Sequence, residues 1–169
     1  MTTIVIRDNI LAADTQISLE EESFKTYQTK IKDLKDGSII ASRGSCAGAD
    51  LFEFWKSATK KEWDEEYPGL VFADIIQPEH EFESVMVTPD GKYTYYSFYG
   101  VPTDITDREF FATGSGAKAA YAAMEMGATA IQAVKIAMKY DLYSGGKVEV
   151  RTIKSRYTSK NNDQKNKKK

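Results

Sequence analysis

The spacing of apolar residues changes several times along the chain, and each change marks an element. Residues 2–7, TTIVIR, form a β-branched run, and 10–14, ILAAD, read as its partner strand. Asp8-Asn9 lies between them as a two-residue turn. The two runs predict a hairpin that would hold the start of the chain in place. A weaker strand is predicted within 23–34, around YQTKIKDL. Asp36-Gly37 marks a turn, and SIIAS (38–42) reads as the next strand. Over 46–62 the period lengthens. Leu51, Phe52, Trp55 and Ala58 recur on one face with Lys and Glu elsewhere, which predicts one amphipathic helix. Pro68 and Gly69 close that region, and 70–75 reads as a strand. FESVMV (82–87) and KYTYYSF (92–98) flank Pro89-Asp90-Gly91, a hairpin signal, and their tyrosines are expected to pack a sheet face.

Two helices follow. The first, 116–126, is rich in alanine and ends at Gly127. The second begins after Thr129, with Gln132 placed to complete a capping box and Ile131, Val134, Ala137 and Met138 along one face. A turn at 143–146 and a strand over 147–153 complete the pattern. The order predicts a mixed α and β (α+β) domain. Two packed antiparallel sheets flanked by helices, a four-layer αββα sandwich, would bury every apolar face.

Length and composition fit one domain, assigned to 1–156, with a basic extension over 157–169. From Arg151 to Lys169 the net charge is +7, and the preceding 150 residues carry −9. The stretch KNNDQKNKKK has no apolar residue and reads as a disordered, solubilising tail. The alternative is a nucleic-acid contact through this tail, but the acidic body argues against nucleic acid as a partner. The single cysteine excludes an internal disulfide and fits a reducing, cytoplasmic setting. The start lacks the features of a signal peptide. No apolar run approaches the roughly 20 residues that span a bilayer, so no membrane partner is expected.

Candidate chemistry begins at Thr2. Removal of Met1 would leave Thr2 with a free α-amine, whose reference pKa of roughly 7.7–8.0 lets it take a proton from the adjacent hydroxyl. Many ordinary chains begin Met-Thr, so this feature is informative only in company. Cys46 and His80 could form a thiol–imidazole pair. The blander alternatives are a buried small apolar residue for Cys46 and a surface loop residue for His80. One histidine and no cysteine cluster argue against a metal centre, and no cofactor is expected.

Four separated segments supply the company: TTIVIRDNILAAD; TKI; ATGSGAKAAYAAMEMGATAIQAVKIA; and KYDLYSGGKVEV. Together they resemble the β-type subunits of the proteasome family, including the HslV (ClpQ) peptidase, which are N-terminal nucleophile (Ntn) hydrolases. The likeness runs over about residues 2–152. It implies an N-terminal threonine peptidase with Thr2 as nucleophile and Asp14 and Lys30 beside it, Lys32 being the poorer match for the lysine. It further implies a supporting network of Ser115, Asp141 and Ser144. Separately, Asp14 and Lys30 could be a surface ion pair, and Ser115 a helix N-cap.

SRGSCAGAD (42–50) holds the remaining expectations. Gly44 is the candidate backbone donor for an oxyanion, with Ser45 standing where the family often has a second glycine. Ser42, Arg43 and Gln16 are the candidate substrate-pocket residues, Gln16 standing where many relatives have arginine. The resemblance also implies a homo-oligomeric ring or double ring acting on protein or peptide substrates, with a possible ATP-dependent unfoldase as partner. Two further readings remain: an Ntn-type amidase on small molecules, and a catalytically silent ring subunit.

Overall fold

The computed structural model describes residues 2–19, 24–97 and 100–153. The basic tail expected over 157–169 lies outside the described residues. The opening hairpin forms as expected. β1 (Thr3–Arg7) and β2 (Ile10–Asp14) pair antiparallel across Asp8 and Asn9, both at positive φ, as a two-residue hairpin turn requires. A second hairpin, which the polarity of 16–27 concealed, follows as β3 (Gln16–Leu19) and β4 (Phe24–Tyr27). β5 (Ile31–Asp33) and β6 (Ile39–Gly44) come next.

The helical pattern of 46–62 divides. α1 (Cys46–Ser57) stops at Ala58, and α2 (Lys60–Glu66) starts anew behind a Thr59/Glu62 capping box. Each reciprocal cap bond satisfies a backbone N–H that a continuous helix would have satisfied internally, so the break is stable. The strand expected over 70–75 is instead a short helix, α3 (Phe72–Ile75). Phe72 and Ile76, four residues apart, both enter the core, as one face of a helical turn places them. A 3-10 turn, Pro78–His80, leads to β7 (Phe82–Val87) and β8 (Tyr93–Ser97). β9 (Val101–Asp104) and β10 (Phe110–Gly114) follow, then α4 (Ala117–Glu125), α5 (Ala130–Tyr140) and β11 (Val148–Thr152). The Thr129/Gln132 capping box of α5 is present.

The strands build a four-stranded sheet ordered β10-β1-β2-β11 and a five-stranded sheet ordered β5-β6-β7-β8-β9, antiparallel throughout. The two-residue alternation of β1 and β2 divides their side chains between two cores. Ile4, Ile6, Leu11 and Ala13 meet Ile31, Ala41, Val85 and Val87 of the larger sheet. Val5 and Ala12 meet the alanine faces of α4 and α5, including Ala120, Ala133 and Ala137. A third core joins the opposite face of β6 and β7, through Ile40, Phe82 and Met86, to α1–α3 through Phe52, Trp63 and Phe72. Phe52 alone packs against the rings of Trp55, Phe72, Phe82 and Tyr96.

β1 lies in the interior of its sheet, between β10 and β2. Thr3 opposes Gly114 on one side, and Ile4 opposes Ala13 on the other. The second residue of the chain is therefore anchored by pairing of the strand that it leads into, on both flanks.

Candidate active site

Asp14 ends β2 with its side chain completely buried. A buried carboxylate must be met by donors, and four converge on it. The backbone N–H of Thr3 donates to Oδ1 at 2.8 Å, and the Lys30 ammonium donates to the same oxygen at 3.2 Å. The N–H groups of Gly145 and Gln16 donate to Oδ2 at 2.9 and 3.1 Å. One carboxylate thus ties together the start of β1, the lysine before β5 and the 141–146 turn. Lys30 also donates to the Gln16 carbonyl at 2.5 Å. Burial holds the Lys30 ammonium below its ordinary pKa, and the Asp14 and Glu149 charges oppose that shift.

A second network surrounds Asp141, the C-terminal cap of α5. The negative end of a helix disfavours a carboxylate, and local donors offset this. The hydroxyls of Ser115 and Ser144 both donate to Asp141 Oδ2 at 2.6 Å. Ser144 and Thr3 lie hydroxyl to hydroxyl at 2.7 Å. A hydroxyl has one proton, and that of Ser144 is committed to Asp141, so the Thr3 hydroxyl is the donor to Ser144. The chain of bonds runs from Thr3 through Ser144 to Asp141, which Ser115 meets from the other side. Ser115 acts here as a donor. It does not cap α4, whose N-cap is Gly116 without a side-chain bond.

Thr2 is 2% exposed and lines a cleft of about 300 Å³ together with Lys30, Ser42, Arg43, Gly44 and Cys46. Two glycines permit close backbone approach here, one against Thr2 and one at the far wall. An ideal Cβ on Gly114, at φ +108, would lie 1.7 Å from the Thr2 carbonyl oxygen. One on Gly44, at φ +98, would lie 2.4 Å from the Glu81 carbonyl oxygen. Ser42 is bonded to Ser84 at 2.6 Å, and the Arg43 guanidinium pairs with Glu83. Across the cleft, Lys32 is shared between Glu53 at 2.5 Å and Asp50 at 3.3 Å.

The structure therefore brings Thr2, Lys30, Ser42, Arg43 and Gly44 to one cleft, with Asp14 directly behind Lys30. Asp141, Ser115 and Ser144 form their network around the adjoining residue, Thr3. Gln16 stands apart from the cleft lining. It is buried, and its side-chain amide donates to the Leu142 carbonyl at 3.1 Å. Cys46 is exposed rather than packed as a small apolar residue. His80 accepts the Gln77 N–H at Nδ1. Sequence reasoning missed Thr3, which engages both networks. Its signal was present in the doubled Thr at the head of β1, but a second threonine in a strand looks like simple β-propensity. Among the described residues, no group of three His, Cys, Asp or Glu side chains could hold a metal ion. No helix of the described residues is long and apolar enough to cross a membrane.

No known family profile and no curated protein matches this sequence. Solved structures do match in three dimensions. Eukaryotic HslV from Trypanosoma brucei superposes with a TM-score of 0.62 at 20% identity, covering 89% of this chain and 97% of that one. BPH from Thiobacillus denitrificans gives 0.59 at 20% identity, covering 90% and 97%. A structure of the same protein in complex with epoxomicin also gives 0.59, covering 90% and 98%. Over nearly its whole described length, the chain has the fold of HslV and of BPH.

Proposed function

We propose that the chain is a threonine-type endopeptidase of the proteasome β/HslV-like family, with Thr2 as nucleophile after loss of Met1. On this reading its two sheets and flanking helices are the four-layer αββα sandwich of Ntn hydrolases. The observation that carries the proposal is the buried Lys30–Asp14 pair in contact with the Thr2 cleft. A cation is held there at the expense of solvation, where an alkoxide-like charge would develop.

The steps use only groups of this chain. The Thr2 hydroxyl attacks the substrate carbonyl while its proton passes to the Thr2 α-amine. The Gly44 N–H donates to the resulting oxyanion. Collapse breaks the C–N bond, the α-amine returns the proton to the leaving amine, and an ester on Thr2 remains. The same amine then deprotonates water, which attacks the ester and releases the acid, restoring the hydroxyl. Lys30 stabilises the developing oxygen charge, and Asp14 fixes its position. Ser115, with its proton committed to Asp141, accepts from the α-amine and orients its lone pair. No cofactor takes part.

The family reading also carries assembly into a homo-oligomeric ring or double ring in the cytoplasm. Protein or peptide substrates would be supplied by an ATP-dependent unfoldase. Intact mass before and after epoxomicin tests the chemistry. The expected result is loss of Met1 and one adduct, absent in Thr2→Ala. A wild-type protein that hydrolyses peptides with Met1 retained would sink the proposal. Sizing of the same sample separates a ring from the small oligomer expected of an amidase. A ring that takes no adduct would indicate a silent subunit.

A further inference from the structure

Near the cleft, the apolar core between the two sheets gives way to a buried carboxylate. Glu83 of β7 is 6% exposed and opposes Arg43 in the β6–β7 register. It accepts Arg43 Nε at 2.9 Å and Arg43 Nη2 beside it. The Thr113 hydroxyl reaches it from β10, in the other sheet. The Tyr95 phenol is held against it as well, and burial and the Glu83 charge push that phenol up to about 12. A carboxylate among Val85 and its apolar neighbours is costly unless paired on every side, and here it is. None of the steps from hydroxyl to ester uses it.

Its partners indicate what it does. Arg43 immediately precedes Gly44, the donor to the oxyanion. Thr113 immediately precedes Gly114, whose α-carbon abuts the Thr2 carbonyl. Gly44 belongs to the five-stranded sheet and Thr2 leads into the four-stranded one. Beyond the Lys30–Asp14 pair, their separation would otherwise depend on side-chain packing between layers. Apolar packing is non-directional, whereas the bidentate Arg43 pair fixes the orientation of the Glu83 carboxylate within its sheet, and the Thr113 hydroxyl reaches that fixed carboxylate from the other sheet.

We propose that Glu83 is a positioning residue that sets the distance between Thr2 and the Gly44 N–H by bridging Arg43 and Thr113 across the two sheets. This rests on the assignment of Thr2 as nucleophile and Gly44 as donor. The bridge acts on geometry, so its loss lowers turnover and spares substrate affinity.

The test compares wild type, Thr113→Val, Thr113→Ser and Glu83→Gln, reading peptide hydrolysis, epoxomicin labelling and amide hydrogen exchange by mass spectrometry. Thr113→Val is expected to lower kcat about 10- to 100-fold, the scale of a small misplacement at a reacting centre, with KM within about twofold. Exchange over 42–46 and 111–116 should quicken together, although these segments lie in different sheets. Thr113→Ser, which keeps the hydroxyl, should restore both readouts. If Thr113→Val fails to fold, Glu83→Gln, which keeps the size of the side chain and removes its charge, carries the same expectation for kcat and exchange, KM being left out because Arg43 lines the cleft. Wild-type kcat and exchange in the variants would overturn the bridge, as would a rise in KM alone or a failure of serine to restore. If the wild type itself takes no adduct, the peptidase reading fails. The exchange comparison then decides the bridge by itself, and unchanged exchange overturns it.

Discussion

The Lys30 ammonium meets the Asp14 carboxylate at 3.2 Å, with side chains only 6% and 0% exposed. Pairs removed from water this completely seldom stabilise a fold relative to apolar packing, and breaking one is severe because the survivor is left buried and charged. Such a pair points to function more than to stability.

Asp14→Asn should therefore be damaging out of proportion to its size. The amide offers one oxygen and turns N–H donors toward groups that already donate, including Thr3, Gly145 and Lys30. A loss of about 3–5 kcal/mol is expected, measured by urea unfolding, together with loss of epoxomicin labelling. An unchanged urea midpoint would remove the central role given to this carboxylate.

Lys30 carries a pH signature. Its pKa is lowered by burial, and the proposed mechanism needs the cation. Activity should therefore fall, as pH rises, at a point below the ordinary lysine value of 10.5. Glu149 raises the Lys30 pKa by its charge, so Glu149→Gln should move that alkaline limb to lower pH. The stability contribution has the opposite sense. In the window between the depressed folded pKa and 10.5 the unfolded chain binds more protons, so this group's contribution to stability rises with pH. A pH–kcat profile of the two proteins checks the direction, and a limb moved to higher pH by Glu149→Gln would contradict it.

Gly114→Ala places a methyl where the Thr2 carbonyl lies, at a φ that L-residues avoid. The start of β1 must move or the β1–β10 register must open. Labelling at Thr2 should vanish while far-ultraviolet circular dichroism stays close to wild type, since the disturbance is at one strand end. Stability should fall by about 1–3 kcal/mol, the cost of a strained backbone. Normal labelling at Thr2 in a folded Gly114→Ala protein would show that the close approach of Gly114 does not position the nucleophile.

Ser144→Ala breaks the link between Thr3 and Asp141 and leaves the Thr3 hydroxyl buried without its acceptor. The expected stability loss is about 1–3 kcal/mol. Thr3→Val, which keeps the shape and removes the donor, should be milder because no buried proton is stranded. Paired thermal unfolding of the two variants checks that order. If Thr3→Val were the more damaging, the direction assigned to the Thr3–Ser144 bond would be reversed.

Legibility followed the range of the forces involved. The β1–β2 hairpin and the α5 capping box depend on neighbours in sequence, and both were readable. The break between α1 and α2 was also written locally, in Thr59 and Glu62, but a continuous apolar face hid it. At Phe72 and Ile76 a short apolar run fits strand or helix equally, and only contact with Phe52 decides. β9 is exposed at every position, so no alternation existed to be found. β7 is buried at every position, so nothing in its local pattern marks Glu83 as a buried carboxylate. Its partner Thr113 is thirty residues away. Asp14, Lys30, Ser115 and Ser144 were found through resemblance in four motifs. Their bonds, and the turn of Gln16 toward Leu142, required the fold.

The pairing of Thr3 with Gly114 has a consequence for the life of the chain before it is finished. During synthesis the Thr2 hydroxyl emerges before its lysine, its network and the strand that clamps it, the last of them at Ser144. On the proposed mechanism, a nascent or half-unfolded copy carries the Thr2 hydroxyl and amine without the Lys30 cation and the Gly44 donor that stabilise the developing charge. Completion of the tertiary structure thus serves as the safety catch. On this reading the proposed peptidase activity is withheld until the molecule has passed its own folding test.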